Sequence, residues 1–151
     1  FGAYGGAILC TAAFRQKLLD KSRMFVGSTP LPLPLANAAL AGVRILKADR
    51  SLRRRLLANA DYVKTALRKA GLALPEKPGP IVPLLPASPG EAARLRRALL
   101  AAQIFPPFIK YPGGPASGYF RFVLSSEHSR AQLDTLLQVL RSHLARQAGS
   151  D

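Results

Sequence analysis

Two groups of side chains in this sequence are placed to bind or orient another molecule. Gly27-Ser28-Thr29 sets two hydroxyls beside a glycine, on a backbone stiffened by Pro30, Pro32 and Pro34. Such a segment either presents donors to a phosphate or serves as an ordinary polar linker. Arg121 is the single charge in the apolar run from Tyr119 to Leu124. A guanidinium is costly to bury without an anion, so it answers a carboxylate or phosphate, or it points to solvent. Strand alternation taken alone favours solvent. The other titratable residues offer less. His128 and His143 have no acid or nucleophile at a fixed spacing, and His128, just ahead of a helix start, reads as a capping or structural residue. Cys10 lies in an apolar run with no cation close in sequence, which reads as a buried, inert thiol. The eight acidic residues are scattered, and no Cys/His cluster has zinc spacing, so neither a catalytic carboxylate pair nor a metal site is expected.

Composition narrows the classes to consider. The chain has 151 residues with 22 Lys plus Arg against 8 Asp plus Glu, a net charge of +14. With 48% hydrophobic and only 20% charged residues it can bury a core, which excludes intrinsic disorder. The length fits one domain, or a small domain with a piece of another. One cysteine excludes a disulfide scaffold and points to a cytoplasmic protein. The longest apolar stretches, such as Leu31 to Ala41, contain prolines and fall short of the roughly 20 residues a membrane span needs. The chain opens on Phe1 rather than methionine and has no signal-peptide pattern, which suggests further sequence upstream. The charge invites comparison with a small basic nucleic-acid-binding module. Its cations, however, fall within three separate helical patterns, Arg53-Arg54-Arg55 to Lys69, Arg94 to Arg97, and Arg141 to Arg146, without interleaved aromatics. Solvated helix faces are the expected reading, with nucleic-acid binding as the rival from another class.

The elements that would position these residues are legible from periodicity and punctuation. Gly6 to Thr11 reads as a buried strand and Ala12 to Lys21 as a short helix. Met24 to Pro34 is expected to be an extended connector, because its alternating prolines fix φ and remove amide donors. From Leu35 a helical pattern runs to a glycine stop at Gly71, with a bend or break at Asp49-Arg50-Ser51. Leu74 to Pro80 is a loop. Ile81 to Leu85 reads as a strand whose Pro83 implies an edge position or a bulge. Ser88-Pro89-Gly90-Glu91 is a capping box opening a helix to about Ala102, with Leu95, Leu99 and Leu100 inward. Ile104 to Tyr111 is apolar around Pro106-Pro107, and Tyr119 to Ser125 is the strongest strand. Ser129 and Gln132 make a second capping box, opening a terminal helix striped by Leu133, Leu136, Leu137, Leu140 and Leu144 and fraying after Arg146. From about residue 72 the order is strand, helix, strand, strand, helix: an α+β small domain whose sheet is covered on one face by helices. The first 35 residues fall outside that plan and read as the last pieces of another domain.

These pieces together resemble the C-terminal portion of the fold-type I, pyridoxal-phosphate-dependent enzymes of the class I and II aminotransferase superfamily. Within it the likeness is to the α-oxoamine synthases, the group typified by 8-amino-7-oxononanoate synthase and glycine C-acetyltransferase. Phe1-Gly2-Ala3-Tyr4-Gly5-Gly6-Ala7 is similar to the glycine-rich segment after the family's Schiff-base lysine, Ser28-Thr29-Pro30-Leu31-Pro32 to its Ser-Thr-x-x-Pro-Pro stretch, and Arg121-Phe122-Val123-Leu124-Ser125-Ser126-Glu127-His128, with Asp134 beyond, to its Arg-Ile-x-x-Ser-x-x-His ending. The resemblance implies pyridoxal phosphate as cofactor, bound through Ser28 and Thr29 across a homodimer interface, and Arg121 holding the substrate carboxylate. It implies formation of a Cα carbanion from an amino acid and its acylation by an acyl-CoA. It further implies residues 1–40 as a remnant of the large cofactor-binding domain with a connector, and 41–151 as the small domain with its leading helix. Pro32-Leu33-Pro34 in place of a proline pair, and Gly118-Tyr119-Phe120-Arg121 in place of Arg-Leu-Arg-Ile, depart from the synthase pattern and leave an aminotransferase as the alternative. The Schiff-base lysine would precede Phe1, so no catalytic residue is assigned among Lys17, Lys21, Lys47 and Lys110, and these residues alone are expected to be inactive.

Overall fold

The computed structural model describes residues 4–24, 28–29, 31–76 and 78–148. The expected features at Phe1-Gly2-Ala3, Gly27 and Pro30, and the last three residues of the tail, lie outside them. The chain divides into two units, Phe1–Arg50 and Ser51–Asp151.

In the first unit, α1 spans Ala12–Lys21, opened by Thr11, whose hydroxyl accepts from the Phe14 amide at 3.2 Å. α2 spans Leu33–Ala48. It begins two residues earlier than the proline pattern predicts, because Pro34 sits in the first turn, where its missing N–H and fixed φ carry no penalty. The strand expected over Gly6 to Thr11 is absent: these residues are irregular and exposed, Leu9 at 97%. A strand needs a neighbour for its backbone groups, and none of the described residues supplies one. For the same reason Cys10 is exposed rather than buried. Neither α1 nor α2 has a buried residue, and Ile8, Met24 and Ile45 stand open to solvent.

The second unit has a core. The predicted break falls at Asp49, after which α3 runs over Arg50–Lys69. Gly71, at φ +91°, ends that segment in the left-handed conformation, while the Leu72 amide reaches back to the Leu67 carbonyl at 3.0 Å. Then come β1 (Ile81–Leu84), α4 (Pro89–Ala101), β2 (Phe108–Ile109), β3 (Tyr119–Val123) and α5 (Arg130–Ala148), the expected order. Ser88 caps α4 by accepting from the Glu91 amide at 3.2 Å. Ser129 and Gln132 form a reciprocal capping box on α5, at 3.3 and 2.9 Å.

The three strands are antiparallel in the order β1-β3-β2, so the best strand of the sequence is the central one. Its alternation decides the layering. Phe120 and Phe122 are buried with Val82 and Leu84 against Val63 and Leu67 of α3, Leu95 and Leu99 of α4, and Leu133, Leu137 and Leu140 of α5. Helices therefore cover one face of the sheet, as the sequence predicts. Pro83 lies in the edge strand opposite Arg121. The Arg121 amide points the other way, to the Pro107 carbonyl at 2.9 Å, so Pro83 faces a position where β3 asks for no hydrogen bond.

Candidate functional site

The same alternation that buries Phe120 and Phe122 places Tyr119, Arg121 and Val123 on the face without helices. Register adds Ile81 opposite Val123, Pro83 opposite Arg121 and Ile109 opposite Tyr119. The result is a half-open apolar surface with one guanidinium in its middle. A groove of about 540 Å³ runs along it, walled by Pro83, Leu85, Tyr111 and Tyr119 and reached by Arg121. Arg121 is half-buried. Among the described residues its side chain has no hydrogen-bond or ion-pair partner. An unpaired guanidinium on an apolar sheet face is an anion-binding arrangement, and its planar fork matches a carboxylate in two parallel bonds.

Arg121 is held by a stiff frame. Prolines flank it on both neighbouring strands, Pro83 in β1 and Pro107 just before β2. Pro107 has no N–H to return, so the Arg121 carbonyl receives no ladder bond from that side. At the entry to β3, Gly118 has φ +78°, and a Cβ there would lie 2.7 Å from the Phe108 ring. Only glycine lets the chain turn into β3 this close to β2. At the exit, the turn is clasped to α3: the Asn59 amide donates to the Ser125 carbonyl at 2.9 Å and the His128 carbonyl at 3.2 Å. The Ser125 amide donates to His128 Nδ1 at 3.1 Å, which leaves Nε2 to carry the ring proton. His128 thus has the structural role expected of it. It also borders a second cavity, of about 350 Å³, shared with Arg121 and Pro107.

Ser28 and Thr29 belong to the first unit, where both are exposed and non-helical. The Ser28 hydroxyl donates to the Met24 carbonyl, while the Thr29 hydroxyl has no partner among the described residues.

One buried pair escapes the sequence reading. His143 Nε2 lies 2.8 Å from Glu91 Oε1, with side chains 8% and 6% exposed, linking α5 to α4. The other oxygen of Glu91 accepts from the Ala87 amide at 2.6 Å, so its capping reach passes one residue beyond Ser88. Periodicity does carry the signal: Glu91, Leu95 and Leu99 repeat at i, i+4, i+8, and His143 continues the stripe of Leu136 and Leu140. Both polar groups fall on apolar faces, which requires a partner for each. No group of metal-ligating residues occurs among the described residues, and none of their helices is long and apolar enough to cross a membrane.

The chain belongs to the aminotransferase class I and II family, whose sequence profile matches residues 1–140. It is 30% identical over 141 residues to the 8-amino-7-oxononanoate synthase of Thioalkalivibrio sulfidiphilus, covering 93% of this chain and 36% of that protein. It is 35% identical over 140 residues to the synthase of the same name from Methylobacterium nodulans, covering 92% and 36%. Two solved structures share the fold. The 8-amino-7-oxononanoate synthase of Francisella tularensis superposes with a TM-score of 0.75 at 23% identity, covering 91% of this chain and 41% of that one. A serine palmitoyltransferase variant from S. paucimobilis, solved with a bound PLP–myriocin aldimine, gives 0.76 at 24%, covering 90% and 35%. The chain thus spans little more than a third of the length of the curated relatives it matches.

Proposed function

We propose that this chain is the C-terminal part of a pyridoxal-phosphate-dependent transferase of the α-oxoamine synthase type, in which Arg121 holds the α-carboxylate of an amino-acid substrate. The observation that carries the reading is the unpaired Arg121 guanidinium on the helix-free apolar face of β3, in a chain of this family. The apolar walls raise the strength of an Arg–carboxylate contact, because water competes less for either partner. Tyr119 and Pro83 on either side limit the rotations open to the side chain, so the bound carboxylate fixes the direction of the substrate's Cα.

Ser28 and Thr29 fit the phosphate of the cofactor, being exposed hydroxyls on a non-helical segment with Thr29 unpartnered among the described residues. For Ser28 to donate to phosphate, its bond to the Met24 carbonyl must be exchanged. Pyridoxal phosphate, when bound, withdraws electron density from the amino-acid Cα. The chain's own contribution is to orient the substrate and anchor the phosphate across the interface of a homodimer. The acyl donor is an acyl-CoA in this reading, supported by the relatives named 8-amino-7-oxononanoate synthase. Lys17, Lys21, Lys47 and Lys110 lack the family's lysine motif, so the bond-making lysine is assigned to the rest of the enzyme and these residues by themselves are inactive.

The experiment is a comparison of the intact transferase carrying this segment with its Thr29→Ala and Arg121→Ala variants. Thr29→Ala lowers retention of the cofactor on dialysis, and Arg121→Ala retains it but loses affinity for amino acids. Loss of neither property overturns the reading.

A further inference from the structure

The helix-covered side of the sheet has an opening of its own. Next to edge strand β2 the helices leave the rings of Phe108 and Phe120 in contact at 5.0 Å and 68°, with Phe120 buried and Phe108 38% exposed. These rings floor a cavity of about 390 Å³, walled by Ala92 and Ala93 of α4 and rimmed by Arg96 and Lys110. It lies on the face of β3 opposite Arg121, since Phe120 and Arg121 alternate. The cavity is shaped by the backbone: the missing side chain at Gly118 leaves room for the Phe108 ring at 2.7 Å and the Lys110 stem at 2.9 Å from where a Cβ would stand. Neither Arg96 nor Lys110 has a hydrogen-bond or ion-pair partner among the described residues. The one acid on this part of α4, Glu91, turns away to His143 and Ala87.

We infer that this cavity is a second binding site, for a small anion with a flat aromatic body, distinct from the carboxylate site of Arg121. Two phenyl rings set edge to face and small alanine walls accept an aromatic plane, while two unpaired cations at the rim fix its charged group. The volume falls within the range of small-molecule sites. The charge of the ligand is set by the rim, because both of its cations lack an acidic partner among the described residues.

The test uses 8-anilinonaphthalene-1-sulfonate and its uncharged analogue N-phenyl-1-naphthylamine, titrated into the full chain while amide and aromatic NMR shifts are followed. The sulfonate is expected to bind at least tenfold more tightly than the neutral compound and to shift residues of α4, β2 and Gly118. An Arg96→Glu/Lys110→Glu double variant is expected to lose at least tenfold in sulfonate affinity with an unchanged melting temperature, because both residues are exposed. Arg121→Ala is expected to change neither value, which separates this site from the proposed function. Equal affinity for the two probes, an unaffected double variant, or shifts confined to the exposed apolar residues of the first unit would each overturn the assignment.

Discussion

Replacing Arg121 tests the link between the open sheet face and substrate. The main chain at this position is held by the Arg121 amide bonded to Pro107 and by the pairing with Pro83, neither of which involves the side chain. The guanidinium itself has no partner among the described residues. Arg121→Ala therefore changes stability by no more than about 0.5 kcal/mol, the usual scale for surface changes away from caps and cores. Binding responds differently. Hydrogen bonds to charged groups contribute about 1.5–3 kcal/mol, and a carboxylate left in an apolar groove without its fork loses the upper part of that range. A loss of about 2–3 kcal/mol corresponds to roughly 30- to 150-fold in affinity. Arg121→Lys keeps the charge but not the fork and falls between the two. The assay is steady-state kinetics of the intact transferase with varied amino acid, beside cofactor absorbance and thermal unfolding. The expected result is a KM raised by that factor with cofactor retained and the melting temperature unchanged. A KM within twofold of wild type in a folded, cofactor-loaded Arg121→Ala enzyme would refute the reasoning.

Three further outcomes concern the frame of the site. Glu91→Ala strands a buried imidazole and the Ala87 amide, and is expected to lower unfolding free energy by about 3 kcal/mol in urea titrations, the scale for breaking one side of a buried pair. Gly118→Ala meets both a positive φ and the Phe108 ring, costing about 1–3 kcal/mol; adding Phe108→Ala removes the ring contact but not the backbone strain, so the double variant recovers only part of the cost of Gly118→Ala. Asn59→Ala deletes two hydrogen bonds from the turn after β3 and is expected to cost about 1–3 kcal/mol, with faster amide exchange at the turn from Ser125 to His128; unchanged exchange there would show that the clasp does not hold the turn.

The sequence by itself determined the second unit. Hydrophobic periodicity and two capping boxes are local signals, and they placed α4, α5, β3 and their order without reference to neighbours. They also singled out Arg121, because one charge in an apolar strand contrasts with its surroundings whatever the fold. Local signals failed where the outcome depends on a partner. Gly6 to Thr11 has the composition of a strand, but a strand forms only when another strand completes its backbone hydrogen bonds, and the described residues offer none. Cys10 followed the same error. Glu91 and His143 are 52 residues apart, so only the packing of α4 on α5 makes them a pair. Tertiary structure also decided which way Arg121 points. Alternation taken alone favours solvent, and the burial of Phe120 and Phe122 under three helices does send Arg121 to the helix-free face, where it is half-buried beside a groove lined by Pro83 and Tyr119.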